Sequence, residues 1–570
     1  MPRKDEMAVV NSALWAAYGD ALGFITELAD PRTLQFRIHA GHVTDTVPWK
    51  RTIGGKFGAV AQLPAGCYSD DTQLRLSVGR AIRDDGYFDV EAFAKVELPV
   101  WLSYALGAGT STKAAASSLS RPDVNWFSNF YASKGRPTYI EAGGNGVAMR
   151  VQPHVWSAKP GANSELILRD VIRNAVCTHG HPRAIAGACF HALCLREALR
   201  SGEIPGPQFW LEAASSLSRA AAIIREDNDL RAFWLPVWEE RSESKVEHTF
   251  KIVANECVED IAKLQQLLPG GAPPPYSNLV QTVDASRQDM RGSGTKTAIL
   301  ASALCWAFRD VGPQLAIQES ANCLESDTDT VGTMAGAIFG AVANFPPKGD
   351  LLDRSYIETE ARRLWSIGQG INASSFHYPD LMSWRPPKAT LEVVGIRNGS
   401  VFVEGLGEAR PFGNRMEART KDGSCWQWLG LQYGQSILAK QRMTLRSIDD
   451  PADSRAESTV IVNKHSERPV VIISESKSEQ PKRLDSQQPE LFATPIADSR
   501  ITQASGSIPQ RTLDELTSEA IRSGFNYHLL GSHLMELAER PNGIELAIGY
   551  AAVLAKARIA RVAASSKKGR

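Results

Sequence analysis

From Ala8 to about Ser374 the apolar residues recur mainly three and four positions apart, as in Leu74, Val78, Ala81 and Ile82, or Val331, Met334, Ala335 and Ile338. This spacing predicts amphipathic and buried helices. Pro64-Ala65-Gly66, Gly143-Gly144-Asn145-Gly146 and Pro269-Gly270-Gly271 followed by Pro273-Pro274-Pro275 read as loops between them. No fixed-period repeat is visible. The pattern changes after Pro386-Pro387, where Leu391, Val393, Val401, Phe402 and Val403 flank Asn398-Gly399 as in a β-hairpin. Trp426, Trp428, Leu431 and Tyr433 extend this strand-rich stretch to about Arg446. Beyond it Ser, Asp, Glu, Gln and Pro dominate up to Pro509, the composition of a largely disordered linker. One apolar run, Val470-Val471-Ile472-Ile473, is a candidate docking strand within it. Helical spacing returns from Leu513 to Val562, with Leu529, Leu530, Leu534 and Leu537. The expected organisation is a helical core over 1–385, a strand-rich module over 386–446, a linker over 447–510 and a helical segment over 511–570.

Composition narrows the class. Hydrophobic residues make up 43% and charged residues 22% of 570, which supplies a sizeable core. Lys plus Arg and Asp plus Glu both number 63, so no overall basic excess points to nucleic acid or a membrane surface. The eight cysteines form no CxxC pair, and the start of the chain lacks an apolar signal region. No apolar run is long enough to span a bilayer. A cytoplasmic protein with no membrane partner is the expectation. The basic end, Lys556 to Arg570, reads as a solubilised helix terminus before it reads as a binding tail, although a protein partner for the C-terminal third stays open.

Three acidic clusters touch helix ends. In Gly19-Asp20-Ala21-Leu22-Gly23 the glycines expose a backbone stripe for close helix packing, and Asp20 shares a helical face with Glu27, seven residues on. Ser69-Asp70-Asp71-Thr72 opens a helix, and taken alone it is an N-cap. Ser326-Asp327-Thr328-Asp329-Thr330 precedes a Gly/Ala-rich helix. Capping needs one acid, whereas Asp327 and Asp329 are read as pointing the same way along an extended segment, with the Thr330 hydroxyl beside them. Oxygen-only donors of this kind suit Mg²⁺ or Mn²⁺ rather than zinc. If the second and third clusters converge, each pair of carboxylates 4 Å apart costs about 4 kcal/mol at an effective dielectric of 20, and cations become nearly obligatory. A binuclear hydrolytic centre follows from that premise.

These blocks, together with Gly144-Asn145-Gly146-Val147-Ala148-Met149-Arg150 and His179-Gly180-His181-Pro182, stand in an order and spacing that resembles the ADP-ribosylglycohydrolase family over about Ala8 to Asn344. The resemblance implies an all-α, compact multi-helix fold. It implies that Ser69, Asp70, Asp71, Asp327, Asp329 and Thr330 hold two divalent cations, Mg²⁺ or Mn²⁺, against the distal ribose. Glu27 would gate the centre or activate water, so Glu27, Asp70, Asp71 and Asp329 form the catalytic set. Asn145, Gly146 and His179 would cradle the phosphates and ribose. Gly144 and Gly146 would let backbone amides approach a pyrophosphate. Arg150 is divided between the diphosphate and a structural ion pair.

Departures from the family pattern bear on the details. Glu325-Ser326 replaces glycines often found there and adds an acid near the site. Gly143 stands where some relatives carry an adenine-stacking aromatic, which leaves Phe127, Phe130 or Tyr131 as substitutes. The stretch from about Gly202 to Arg291 is read as a substrate-specific lid. Gly292-Ser293-Gly294-Thr295-Lys296-Thr297 fails the Walker spacing and is set aside. The expected activity is release of ADP-ribose from a modified macromolecule, with protein favoured over nucleic acid. Its rivals are a non-catalytic ADP-ribose-binding or toxin-binding immunity protein and a binuclear phosphoesterase.

Overall fold

A computed structural model describes residues 5–448, except 56–57, 133–136, 269–271 and 418–423, and residues 511–558, except 541–542, 544–545 and 555–556. The chain divides into two compact units, Met1–Asn463 and Lys464–Arg570. The expected linker and its candidate docking strand, Val470–Ile473, lie outside the described residues, as does most of the basic end.

The first unit is built on helix α1 (Glu6–Thr26), capped at Asp5 and buried on all sides from Val9 to Thr26. Further helices that matter to the site are α2 (Asp70–Arg80), α3 (Thr110–Leu119), α4 (Pro182–Ser201), α5 (Leu235–Ser242), α6 (Val246–Gln265), α7 (Gly294–Ala307), α8 (Thr328–Val342) and α9 (Arg354–Gln369). The glycine stripe does what its spacing predicts. A β-carbon on Gly19 would lie 2.1 Å from Gly332 O, and one on Gly23 would lie 2.3 Å from Thr328 O, so α1 and α8 meet backbone to backbone. Hydroxyls stitch the same crossing: Thr328 Oγ1 donates to Gly23 O at 2.8 Å, Thr333 Oγ1 to Ala16 O at 2.8 Å and Ser12 Oγ to Ala337 O at 2.7 Å. The crossing brings the C-terminal end of α1 to the N-terminal end of α8.

The helical region also contains a short antiparallel hairpin, β1 (Trp49–Ile53) and β2 (Ala59–Leu63), which helical spacing does not predict. Its signal is a two-residue alternation, with Ala59, Ala61 and Leu63 buried and Val60 and Gln62 exposed. Gly54 and Gly55 follow β1 with φ near +80°.

The strand-rich stretch is a six-stranded sheet of β3 (Val394–Arg397), β4 (Ser400–Val403), β5 (Gly407–Glu417), β6 (Ser424–Leu431), β7 (Ser436–Arg442) and β8 (Arg446–Ser447), in the order β7-β6-β5-β4-β3-β8. Asn398 and Gly399, with φ of 50° and 80°, make the turn expected of Asn-Gly. Tyr433 falls in the turn after β6 rather than in a strand. The sheet packs on the helical body. Trp426, Trp428 and Leu438 share a core with Trp49 and Ile53 of the hairpin. Buried Arg80 joins Glu97, by two bonds of 2.8 Å, to Gln435 Oε1 at 2.6 Å.

In the second unit, α10 (Leu513–Arg522) opens with a capping box of Thr512 and Glu515 and packs with α11 (Tyr527–Ala538) around Leu516, Ala520, Phe525 and Leu537. Among the described residues no helix is long and apolar enough to cross a membrane.

Candidate active site

The three acidic clusters, far apart in the chain, meet at one cavity of about 210 Å³. Glu27 ends α1, Asp70 and Asp71 open α2, Asp327 immediately precedes α8, and Asp329 and Thr330 occupy its first turn. All six side chains line the cavity, together with Asn145, Gly146 and His179. Gly107, Gly109 and the first turn of α3, Thr110 to Thr112, complete the wall. That last contribution escaped the sequence reading, although Gly107-Ala108-Gly109 before Thr-Ser-Thr marks a loop feeding a helix N-terminus.

Ser69 does not line the cavity. It is fully buried, and its hydroxyl accepts from Asp71 N at 3.2 Å as the α2 cap. Asp20 does not form a paired acidic site with Glu27. Its carboxylate accepts from Ser69 N at 2.9 Å and Thr72 N at 2.8 Å, so it clamps the turn that presents Asp70 and Asp71. The same-face spacing of Asp20 and Glu27 missed this because Glu27 has already left the helix as its cap.

Asp327 and Asp329 do not share an extended segment, because the helix begins at Thr328 between them. Asp327 sits at the cap position without making a capping bond. It accepts instead from Asn145 Nδ2 at 2.9 Å, an amide that also lies 3.2 Å from Thr297 Oγ1. Asp71 Oδ1 is 3.4 Å from the Thr330 hydroxyl, while its Oδ2 is buried without a partner among the described residues. Glu325 is exposed and takes no part in the wall.

Burial dominates the electrostatics. It holds the carboxyls of Asp70, Asp71 and Asp329 well above the usual range, and neighbouring acids push further: Glu27 and Asp20 on Asp70, Asp20 and Asp70 on Asp71, Glu27 and Asp327 on Asp329. Burial also raises Glu27, opposed by the Arg51 guanidinium. Such a set is rich in oxygen donors and short of positive charge. Its donor chemistry fits hard divalent cations. Among the described residues no group of three or more His, Cys, Asp or Glu side chains is gathered as a finished metal site, so the fit is one of donor type and charge rather than of completed coordination.

The Gly144–Gly146 loop is held from behind. Asn145 N donates to Gly292 O at 2.8 Å and Gly294 N to Gly143 O at 3.0 Å, so the Asn145 backbone amide is committed to this strut. The Gly292–Thr297 motif thus serves as a strut. A β-carbon on Gly146 would crowd Thr112 Oγ1 at 2.9 Å and His179 Cε1 at 3.1 Å. Arg150 is wholly buried and has no acidic ion-pair partner among the described residues. It donates to Asn174 Oδ1, Gly146 O and Thr178 Oγ1, fixing the loop and the residue before His179. His179 Nδ1 lies 2.8 Å from that same Thr178 hydroxyl. Burial pulls its pKa down to about 3, so the imidazole is neutral.

Phe127, Phe130 and Tyr131 do not line the cavity: Phe127 stacks on Phe233, Phe130 lies under Arg241, and the Tyr131 hydroxyl donates to Thr178 O. Among the described residues none of 202–291 lines the cavity either. The helices there pack against the body instead, with Arg183 of α4 paired to Glu256 of α6 and Lys296 of α7 to Asp260.

Fold and cavity together define a helical protein with a buried, oxygen-lined acidic centre. Residues 5–371 match the ADP-ribosylglycohydrolase family, and the chain belongs to it. The family is one of hydrolases, and its members generally depend on divalent metal. No curated protein matches the chain. A solved structure titled "ADP-ribosylglycohydrolase-related protein complex" is similar over 64% of this chain and 99% of its own, at 19% identity and a TM-score of 0.40.

Proposed function

We propose that the protein hydrolyses an ADP-ribosyl glycosidic linkage and releases ADP-ribose from a modified macromolecule, with protein favoured as the target. The observation that carries this is the convergence of Glu27, Asp70, Asp71, Asp327, Asp329 and Thr330 on one cavity walled by Asn145, Gly146 and His179. At about 210 Å³ the cavity is smaller than a whole drug-sized ligand requires, and it suits the distal ribose end of the substrate.

Asp70, Asp71, Asp327, Asp329 and Thr330 would hold two divalent cations, Mg²⁺ or Mn²⁺, with Ser69 contributing by fixing the backbone of the pair. Bound there, the cations supply positive charge that grips ribose hydroxyls and acidifies water. The chain's own groups do the rest. Glu27, at the edge of the acidic set, takes a proton from the water that attacks C1″. The bond from C1″ to the acceptor nitrogen or oxygen breaks, its electron pair leaves with the acceptor side chain, and that side chain takes up the proton that Glu27 removed from water.

His179 is assigned as a donor towards the diphosphate. With Arg150 Nη2 donating a hydrogen bond to the Thr178 oxygen and Thr178 donating in turn to His179 Nδ1, the hydrogen of the neutral ring sits on Nε2. Asn145 links the phosphate side of the wall to Asp327, so the two halves of the substrate are positioned together.

The test is turnover by the full chain with Mg²⁺ or Mn²⁺ on ADP-ribosylated arginine, serine and nucleic acid, with products identified by mass. Free ADP-ribose is expected. AMP or phosphate as the product, or binding of ADP-ribose without turnover on any of the three, overturns the reading.

A further inference from the structure

A second cavity, about 650 Å³, lies on the outer side of α3, walled by that helix, the loop after it, and α5 with the residue Phe233 before it. It is not a separate feature of the surface. Thr110, Ser111 and Thr112 line the reaction cavity, and Lys113, the next residue, lines the second one, about 100° further round the helix. The charge of Lys113 reaches Asp70.

The lining has a definite chemistry. It carries three cations, Lys113, Arg121 and Arg241, and one acid, Asp123, which is ion-paired with Arg121. Lys113 is exposed and has no ion pair among the described residues. Arg241 donates to Phe130 O at 3.1 Å and lies 5.0 Å over the Phe130 ring, so its charge is held in place but not neutralised. Phe233 is 48% exposed and stacks on Phe127 with centroids 5.1 Å apart. Two unbalanced positive charges thus flank an apolar floor, with Ser117 and Ser118 of α3 on the same wall.

We propose that this groove binds an acidic segment of the modified protein next to the ADP-ribosylated side chain. The inference rests on the glycohydrolase reading of the adjoining cavity. α3 has ten residues and is about 15 Å long, a span that four or five extended residues cover. A peptide of that length with two carboxylates matches Lys113 and Arg241, and one apolar side chain covers Phe233. A single-stranded nucleic acid fits less well. It brings a phosphate with every nucleotide and calls for a groove whose cations track the backbone, whereas serines fill the wall here and the whole chain has 63 residues of each sign. The groove would select among modified proteins by the sequence around the modified residue, through KM rather than the chemical step.

The experiment uses the full chain with Mg²⁺ and peptides ADP-ribosylated on arginine or serine, in matched pairs carrying Asp or Lys at the three to five positions on either side. The Asp peptide is expected to show a KM about tenfold lower than its Lys partner. Arg241→Glu should reverse that order with kcat unchanged, and Lys113→Glu should move KM the same way. The inhibition constant for free ADP-ribose should not change with Arg241→Glu. Equal KM for the two peptides overturns the proposal, as does a raised ADP-ribose inhibition constant in Arg241→Glu, which would make the groove an adenosine site. So does a dependence on Arg241 seen with an ADP-ribosylated oligonucleotide and not with the peptides. If the wild type releases ADP-ribose from no probe, the glycohydrolase reading has failed. Fluorescence anisotropy with the unmodified Asp and Lys peptides then still decides the groove, tighter binding of the Asp peptide that is lost in Arg241→Glu supporting it and equal binding overturning it.

Discussion

Arg51 Nη2 lies 2.8 Å from Glu27 Oε2, and both side chains are largely buried, at 17% and 13% exposure. The guanidinium also stands 4.4 Å over the Phe24 ring, and its Nη1 is buried with no partner among the described residues. A second arginine, Arg37, donates to the carbonyls of Ile25 and Glu27 at 2.7 and 2.8 Å. One arginine therefore fixes the Glu27 carboxylate and the other fixes its backbone. Because Arg51 sits in the hairpin whose core is shared with Trp426 and Trp428, the β-sheet supports an acid of the reaction cavity through two layers of packing.

Arg51→Ala should leave Glu27 buried without its counter-charge. Removing one partner of a buried pair costs about 3–5 kcal/mol, and the residual exposure here reduces that to about 2–3. We expect that loss in urea unfolding and a fall in kcat of about tenfold or more with a smaller change in KM. The double variant Arg51→Ala/Glu27→Gln should recover at least half of the lost stability. Additive losses would mean that the pair is not coupled.

How far the sequence leads is clear from these same residues. The helical core, the Asn398-Gly399 hairpin and the Gly19/Gly23 stripe were legible because each rests on a local pattern with one physical cause. The meeting of the acidic clusters was legible through the family blocks, not through spacing. What stayed hidden was non-local. Nothing near Arg51 announces a partner 24 positions earlier, and Asp20 looks like a surface acid until the α2 turn arrives to use both of its oxygens. The hairpin was missed because five-residue strands of Trp, Ala and Val do not outweigh the helical pattern around them.

Asp329→Asn keeps the bond from Thr330 N, 2.9 Å in the wild type, but removes a carboxyl whose ionised form burial and the neighbouring acids oppose. In the presence of a chelator the variant should therefore be more stable than wild type, by about 1–2 kcal/mol, while ADP-ribose release falls by at least about 100-fold. Saturating Mn²⁺ should raise the wild-type melting temperature and leave that of the variant nearly unmoved; a 100-fold excess over Kd corresponds to about 2.7 kcal/mol. An equal Mn²⁺ shift in both proteins would remove Asp329 from the metal set.

Gly19→Ala places a methyl group against the Gly332 carbonyl of a facing helix, at a distance no side-chain rotation relieves. The two helices must separate, which costs about 3 kcal/mol or more and tilts Asp329 away from Glu27. Gly41→Ala, where a β-carbon meets nothing within 4 Å, should stay within about 0.5 kcal/mol of wild type. Thermal melts and ADP-ribose release on the two variants check this. Equal stability would show that the crossing tolerates a wider separation.

Acid should unfold the protein through its buried histidines. His154, His179 and His191 are all pulled down to about 3 by burial, against about 6.5 in an unfolded chain. Two of them accept from side-chain amides: His191 Nε2 lies 3.0 Å from Gln152 Nε2, and His154 Nε2 lies 3.1 Å from Asn174 Nδ2. In the window between about 6.5 and 3 the unfolded chain binds protons that the folded one refuses, so stability is full above pH 6.5 and falls as pH drops through that window. The raised carboxyls of Asp70, Asp71 and Asp329 have the opposite sign, since their folded forms keep protons that the unfolded chain releases above its own carboxylate range. They are the same in wild type and in His191→Asn, and they cancel when the two proteins are compared. Each histidine accounts for a slope of about 1.4 kcal/mol per pH unit. Urea unfolding at half-unit steps from pH 7 to pH 4.5 should therefore give a slope in His191→Asn that is shallower than wild type by about that amount. Parallel slopes would mean that His191 accepts a proton in the folded protein.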